Sequence, residues 1–300
     1  MLRKTNSVKL VFMLFLIVVL TIIASREVNA ASRTTYLGDV NLDGKVTSKD
    51  ATLISEMVNG KRKDKVLADI NQDGKVTSKD TTLAKNIAKG KTTRTKVDIY
   101  IDGEKNVSIL YKQNDSTNKN IEYKGRYNNG TYITTWNDKE IYGATKSSNP
   151  KLGANGCGPT SCAIVATNFG KLVTPKNLVN GNKKCYSTSE DIRAYFKSIG
   201  LKTNEIKREA ETYAKAIKNG KKLIVLVGTS SKYSTVKGRI GNKTLGNGTF
   251  HWYTILDYKT DNGTYKFYVA DPYLWSGKAD CGWINFNSLT GIYKTIAIGK

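Results

Sequence analysis

The chain has 300 residues and carries 48 Lys and Arg against 25 Asp and Glu, a net charge of +23. Residues 91–300 hold 33 of the basic and 16 of the acidic residues, a net +17, which is either a solvated basic surface or one that favours anionic partners such as cell-wall polymers or acidic peptides. A single histidine and the lack of any spaced Cys/His set argue against a zinc site.

The first 30 residues have the pattern of a secretory signal peptide. A basic start precedes an apolar run at residues 10–24, which is short for a membrane span. Residues 28–30, Val-Asn-Ala, form a small-x-Ala cleavage site. We therefore predict a secreted, extracellular protein whose mature chain begins at Ala31, with an uncleaved anchor as the alternative. Export, together with the absence of a nucleic-acid-binding motif, argues against nucleic acid as a partner.

Two copies of a short acidic loop follow, at residues 39–50 and 69–80. They are offset by 30 residues, and the stretch Gly-Lys-Val-Thr-Ser-Lys-Asp is identical in both. Each loop places oxygen-bearing side chains at positions 1, 3, 5 and 12 and glycine at position 6, which is the oxygen cage that a hard cation such as calcium requires. Because two such loops in register rarely arise by chance, the repeat predicts two calcium sites.

A short amphipathic helix is predicted after each loop. Apolar residues recur at i, i+1, i+4 and i+5, and the patterns close at Gly60 and Gly90. Each loop-helix unit has one apolar stripe, so the two units must pack together to bury it. Because a module of this size buries little apolar surface, we expect metal binding to supply much of its folding free energy. The stripes are Leu53, Ile54, Met57 and Val58, and Leu83, Ala84, Ile87 and Ala88.

Residues 36–90 thereby resemble a dockerin, the small all-α calcium-binding module with which enzyme subunits bind cohesins on a scaffoldin. The resemblance implies two Ca²⁺ ions and a cohesin partner; a calcium-stabilised spacer without a partner is the alternative. The implied calcium ligands are Asp39, Asn41, Asp43, Lys45 (main-chain carbonyl), Thr47 and Asp50, and Asp69, Asn71, Asp73, Lys75 (main-chain carbonyl), Thr77 and Asp80. The implied recognition pairs are Ser48 with Lys49 and Ser78 with Lys79. Since the pairs are identical, docking is expected in two orientations.

The next segment connects this module to the rest of the chain. Residues 91–95 read as a linker, and residues 97–112 alternate apolar and polar around Asp102 and Gly103, which predicts a β-hairpin. Residues 96–130 are either a small β subdomain or an extension of the domain that follows.

Cys157 is the first candidate for chemistry. It lies in the sequence Gly-Cys-Gly-Pro-Thr-Ser, where Pro159 suits the first turn of a helix and an apolar run follows. Cys157 is therefore expected at a helix N-terminus, where unpaired N–H groups and the helix dipole stabilise a thiolate. A thiolate nucleophile also requires a base within reach.

His251 is the only histidine of the chain and begins a strand-like run. A turn at residues 261–263 and a second strand-like run ending at Asp271 predict a hairpin that brings His251 and Asp271 to the same end. The register of the two strands is not fixed by the sequence. If the two side chains face each other, Asp271 orients the imidazole as the third member of a triad does.

This second set resembles the papain-like cysteine peptidases, in particular the branch related to bacteriocin-processing, double-glycine leader peptidases. The resemblance covers residues 131–300 and implies an α+β papain-like fold. It implies Cys157 as nucleophile, His251 as general base and then acid, and Asp271 as the orienting residue, with acyl transfer through a thioester and no cofactor for catalysis.

One family feature has no clear counterpart, the glutamine before the cysteine that helps to stabilise the oxyanion. Thr135 stands where this glutamine is expected. Gln113 is an alternative if an insertion separates it from Cys157, and Asn137 is a third candidate. A missing side-chain donor typically costs ~10²–10³ in rate.

The remaining cysteines are assigned structural roles. Cys162, five residues into the predicted helix, is expected to be buried. Cys185 and Cys281 are expected either as a disulfide, since the exterior is oxidising, or as two free buried thiols.

The favoured hypothesis is a secreted cellulosome-type cysteine peptidase that hydrolyses peptide bonds in peptides or proteins. The alternatives are a catalytically weak or inactive peptide-binding scaffold component and an amidase that acts on cell-wall peptides.

Overall fold

The computed structural model describes residues 31–63, 65–122, 127–128, 131–136, 139–145, 151–180, 188–229, 238–246, 249–275 and 278–300. Only the main chain is described for residues 31, 127–128, 131–136, 139–145, 274–275 and 278–280. The predicted signal peptide, Asn137 and Cys185 lie outside these ranges. Within them, no helix combines the length and apolar character needed to span a membrane.

The elements follow in chain order. They are β1 (Ala31–Tyr36), α1 (Ser48–Val58), α2 (Ser78–Ala88), β2 (Lys96–Ile101), β3 (Val107–Ile109), β4 (Tyr127–Asn128), β5 (Thr131–Trp136), β6 (Lys139–Thr145), α3 (Leu152–Asn155), α4 (Cys157–Asn168), α5 (Pro175–Asn180), α6 (Ser189–Ser198), β7 (Lys202–Glu205), α7 (Ala210–Lys218), β8 (Lys222–Gly228), β9 (Arg239–Ile240), β10 (Lys243–Thr244), β11 (Phe250–Asp261), β12 (Thr264–Trp275), β13 (Lys278–Asn285), β14 (Leu289–Thr290) and β15 (Ile292–Gly299). Single turns of 3₁₀ helix occur at Val66–Ala68 and Phe286–Ser288.

The two loop-helix units form as predicted. Each helix begins with a capping box, in which Thr47 or Thr77 caps the helix and Asp50 or Asp80 accepts a hydrogen bond from the cap residue's N–H. Of the predicted apolar stripes, Ile54, Met57, Ala84 and Ile87 are buried in one shared core with Leu67 of the connecting segment, and Leu53 packs against it. Val58 and Ala88, at the C-terminal ends of the two helices, are exposed instead. The repeat in sequence is thus a repeat in structure.

A clasp of two strands closes the module at its ends. β1 precedes the module and β2 follows it, and the two pair antiparallel along their whole length, from Ala31 opposite Ile101 to Tyr36 opposite Lys96. The predicted hairpin is confirmed, because β2 also pairs antiparallel with β3 across the turn at residues 102–106. The side chains of this sheet alternate, so that Ile99 enters the core of the module and Tyr100 enters the larger core beyond it.

The larger core is built on a six-stranded antiparallel sheet in the order β13-β12-β11-β8-β15-β7. β8 is buried on both faces, so its side chains alternate between two clusters: Ile224 and Leu226 pack towards α4, whereas Leu223, Val225 and Val227 pack towards α7. Helix α4 is buried from Gly158 to Asn168. The sheet and α4 together position His251, which lies on β11, and Cys157, which begins α4.

A buried ion pair fastens the hairpin to the sheet. Asp102, in the turn after β2, lies 3.0 Å from Nζ of Lys222, the first residue of β8, and both side chains are under a tenth exposed. Nδ2 of Asn168 also donates to Asp102, at 3.1 Å. Burial alone would raise the pKa of Asp102, but the charge and hydrogen bond of Lys222 hold that pKa below its ordinary value.

Removal of one partner of this pair is expected to be strongly destabilising. Lys222→Ala leaves the Asp102 carboxylate buried and unpaired, and breaking a buried pair in this way costs about 3–5 kcal/mol. The free energy of unfolding in urea measures this. Lys266→Ala is the matched control, since it removes the exposed pair with Asp261 and should have little effect. Equal stabilities of the two variants would contradict the anchoring role.

Candidate functional site

Cys157 is the first residue of α4, as the sequence predicts. Gly156 precedes it, and a Cβ there would lie 2.4 Å from the main-chain oxygen of Leu152, so only glycine fits this close turn. The Cys157 thiol accepts hydrogen bonds from the main-chain N–H groups of Gly158 and Trp252. These donors and the helix dipole favour the thiolate.

His251 and Asp271 meet across the β11–β12 hairpin, whose register the sequence left open. Nε2 of His251 lies 2.7 Å from Oδ1 of Asp271. The imidazole also hydrogen-bonds to the Cys157 thiol, which leaves Nδ1 for the sulfur because Nε2 faces the carboxylate. The structure thus brings Cys157, His251 and Asp271 into one hydrogen-bonded line.

The electrostatics of this line favour an ion pair. Burial alone would lower the pKa of His251, but the Asp271 carboxylate and the Cys157 sulfur raise it to about 10. Burial alone would raise the pKa of Cys157, but the hydrogen bond and charge of His251 hold it below its ordinary value. Both shifts favour a thiolate next to an imidazolium over the neutral pair, and the charged pair is the reactive form of a cysteine nucleophile.

Gln113 lies beside this line. Its side chain is 2% exposed, its main-chain N–H donates to the oxygen of Pro272 at 2.8 Å, and its Nε2 donates to the oxygen of Gly153 at 3.2 Å. Pro272 follows Asp271, and Gly153 lies four residues before Cys157. Of the other oxyanion candidates, Thr135 lies in β5, where only the main chain is described, and Asn137 lies outside the described residues.

Lys112 also lies close to Asp271, although the sequence predicts no role for it. Its Nζ lies 3.1 Å from Sγ of Cys281 and donates to the main-chain oxygen of Asp271. The only signal in the sequence is that Lys112 precedes Gln113. Cys162 is fully buried, as predicted, and Cys281 is a free thiol.

The two acidic loops share one backbone conformation. Residues at positions 4 and 6 have positive φ in both copies, at Leu42 and Gly44 and at Gln72 and Gly74. Asp39 and Asp50 are fully buried, and their carboxylates accept main-chain N–H groups from across the loop. The second loop repeats these bonds with Asp69 and Asp80.

The loop chemistry fits a cation. Burial and the nearby charges of Asp80 and Asp73 raise the pKa of Asp69 to about 6. A divalent cation would relieve the repulsion between these carboxylates. In the part of the chain that the structure describes, no three His, Cys, Asp or Glu side chains are arranged as a ready metal site. The ligands that the resemblance implies combine carboxylate oxygens with amide, hydroxyl and main-chain carbonyl oxygens, a mixture that calcium accepts.

The predicted recognition pairs are accessible. Ser48, Lys49, Ser78 and Lys79 are exposed and are the first two residues of α1 and α2. The second loop also contacts the larger part of the chain, because Nδ2 of Asn177 donates to the oxygen of Gln72 at 3.1 Å.

Comparison with known proteins identifies the module. Residues 37–88 match the family model of the Dockerin type I domain. No curated protein matches the chain. The protein thus carries a dockerin, which implies a cohesin partner and an extracellular, cellulosome-type setting. The family match ends before Cys157 and does not extend to that site.

The Cys157–His251 pair predicts a characteristic dependence of alkylation on pH. Wild-type Cys157 should react with iodoacetamide faster at pH 7, and with a weaker dependence on pH up to pH 9, than an ordinary thiol, because its pKa is lowered. In His251→Ala only the effects of burial and the N–H donors remain, so the rate at pH 7 should fall by about tenfold or more and rise steeply with pH. Thr260→Ala, an exposed position on β11, is the control. A His251→Ala variant that is labelled as fast as the wild type would contradict the ion pair.

Proposed function

We propose that this chain is a secreted cysteine peptidase that its dockerin attaches to a cohesin-bearing scaffold. The observation that carries the proposal is the hydrogen-bonded line of Cys157, His251 and Asp271 at the N-terminus of α4. Because His251 and Asp271 are buried, a thiolate–imidazolium pair at this position is costly to maintain, and such pairs are typical of catalysis. The α+β arrangement of a helix against an antiparallel sheet agrees with the resemblance to papain-like peptidases.

The proposed reaction is acyl transfer in two steps. The Cys157 thiolate attacks the carbonyl carbon of the substrate peptide, and the His251 imidazolium protonates the leaving amine as the C–N bond breaks. The neutral imidazole then removes a proton from a water molecule, which hydrolyses the thioester and releases the thiolate. Asp271 keeps the imidazole oriented and stabilises its charged form.

Gln113 is the proposed side-chain donor to the oxyanion. Its amide nitrogen carries two N–H groups, of which one is given to the oxygen of Gly153. The main-chain N–H of Cys157 is the proposed second donor. The alternative of an inactive scaffold component is based on the apparent lack of a glutamine donor. A buried glutamine beside the site therefore favours an active enzyme.

An amidase that acts on cell-wall peptides is the second candidate, because it would use the same residues. The net +17 on residues 91–300 favours it, since such a surface is attracted to an anionic wall polymer. Release of amino groups from purified peptidoglycan, compared with hydrolysis of casein, separates the two activities.

The dockerin is proposed to bind two calcium ions, one in each loop, through the oxygen ligands identified from the sequence. The matching backbone conformation of the two loops supports equal occupancy. Calcium would offset the repulsion between buried carboxylates and stabilise the fold that presents the recognition pairs.

Peptide hydrolysis by four variants tests the proposed site. Cys157→Ala should abolish hydrolysis of a peptide library, because the nucleophile is lost. Gln113→Ala should lower kcat by ~10²–10³, the usual cost of one oxyanion donor. Thr135→Ala and Asn137→Ala should retain activity if Gln113 is the donor. Undiminished hydrolysis by Cys157→Ala would refute the peptidase, and a loss confined to Thr135→Ala or Asn137→Ala would move the oxyanion donor there.

Binding to a panel of cohesins tests the two recognition pairs. Replacing Ser48 and Lys49 by alanine, or Ser78 and Lys79, should leave binding intact because the other pair still docks. Replacing all four should abolish it, and so should removal of calcium with a chelator. Lys91→Ala is the matched surface control. Loss of binding after replacement of a single pair would show that only one orientation is used.

A further inference from the structure

Asp271 lies where the pairing of β12 is interrupted. The β11–β12 ladder reaches as far as Thr254 opposite Ala270, and the β12–β13 ladder is irregular between Ala270 and Leu274. The regular strand register therefore stops one residue before Asp271, whose carboxylate faces His251. An irregularity of this kind re-aims a side chain, but other contacts must then hold it in place.

Lys112 and Cys281 supply those contacts. Nζ of Lys112 donates to the main-chain oxygen of Asp271, and the main-chain N–H of Asp271 hydrogen-bonds to the Cys281 thiol. Nζ of Lys112 also lies 3.1 Å from Sγ of Cys281. The three contacts form a closed ring, so both main-chain polar groups of Asp271 have side-chain partners.

The lysine is held firmly in a place where lysine is rare. Its exposed fraction is 6%, and a buried ammonium is tolerated only when acceptors replace its water. Nδ2 of Asn118 donates to the main-chain oxygen of Lys112 at 2.8 Å, and the main-chain N–H of Gln113 donates to the oxygen of Pro272. The main chain that carries the Lys112 ammonium is thus held by hydrogen bonds at Lys112 and at the next residue.

We propose that Lys112 and Cys281 form a clamp that holds the main chain of Asp271 and thereby keeps its carboxylate on Nε2 of His251. Both are positioning residues, because they act through Asp271. The inference rests on the proposed function, since it assigns them a role in the same site. Among the described residues, the titratable groups around His251 include Cys157 on α4, Asp271 and Tyr273 on β12, and, behind Asp271, Lys112 and Cys281.

A clamp and a purely electrostatic role predict opposite shifts in the pKa of His251. Loss of the Lys112 charge alone would remove a cation near the imidazolium, so the pKa of His251 would rise. Loss of the clamp would let Asp271 move away from the imidazole, so the pKa of His251 would fall towards its ordinary value of about 6.5. The direction of the shift therefore separates the two roles.

NMR titration of the full chain in the presence of calcium measures this pKa, because His251 is the only histidine and gives a single ring signal. Lys112→Met should lower the pKa of His251 by about one unit or more. Lys112→Gln keeps a donor for the Asp271 oxygen and Cys281→Ser keeps an acceptor, so both should titrate near the wild type. Lys294→Met is the matched control, since it removes another buried lysine, one that contacts Ser189 and Glu205.

The outcomes are distinguishable. A folded Lys112→Met variant whose His251 pKa is unchanged or raised overturns the clamp, and so does an equal fall in Lys294→Met. If Lys112→Met does not fold, Lys112→Gln decides: a pKa near that of the wild type supports the clamp, and a lowered one overturns it. A wild-type His251 that titrates at its ordinary pKa overturns the proposed function and the clamp together.

Discussion

The burial of helix α4 is the constraint on which the rest of this structure depends. Every residue from Gly158 to Asn168 is buried, so the helix has a fixed position. Its 12 residues span about 18 Å at 1.5 Å per residue. Its N-terminus holds Cys157 against His251. Its C-terminus holds the β2–β3 hairpin, which supplies β2 to the clasp, because Oγ1 of Thr167 accepts a hydrogen bond from the N–H of Ile109 at 3.0 Å and Nδ2 of Asn168 donates one to Asp102. One rigid element therefore connects the two functional parts of the chain.

Two buried ion pairs lie near opposite ends of this helix and have different consequences. Lys222 and Asp102 attach the hairpin to β8. A pair of well-packed apolar residues at these positions would stabilise the fold as much or more. We therefore interpret the ion pair as a means of fixing the orientation of the hairpin. His251 and Asp271 have no such apolar substitute, because the Asp271 carboxylate raises the pKa of His251, and the charge of His251 in turn lowers the pKa of Cys157. The first pair determines geometry and the second determines reactivity.

Local patterns in the sequence predicted local structure well. The loop-helix repeat, the hairpin after it, the helix that begins at Cys157 and the hairpin from His251 to Asp271 each depend on residues close together in the chain, and each forms. The unpredicted features depend on long-range pairing. The clasp joins residues about 65 positions apart, and β4, β5 and β6 lie between Gln113 and Cys157, so neither spacing nor periodicity could place the glutamine. The role of Lys112 could not be predicted for the same reason, since its contact with Cys281 forms only in the folded chain.

The clasp changes how the dockerin should be pictured. Residues 91–95 have the composition of a linker, yet the N–H of Leu37 bonds to the oxygen of Thr95, and β2 then returns to pair with β1. The chain therefore enters and leaves the dockerin through one sheet, and β3 of that sheet packs on α4. A dockerin on a long flexible tether would let the site sample many directions. Because this one is joined through paired strands and a buried ion pair, binding of the module to a scaffold would also set the direction in which Cys157 faces.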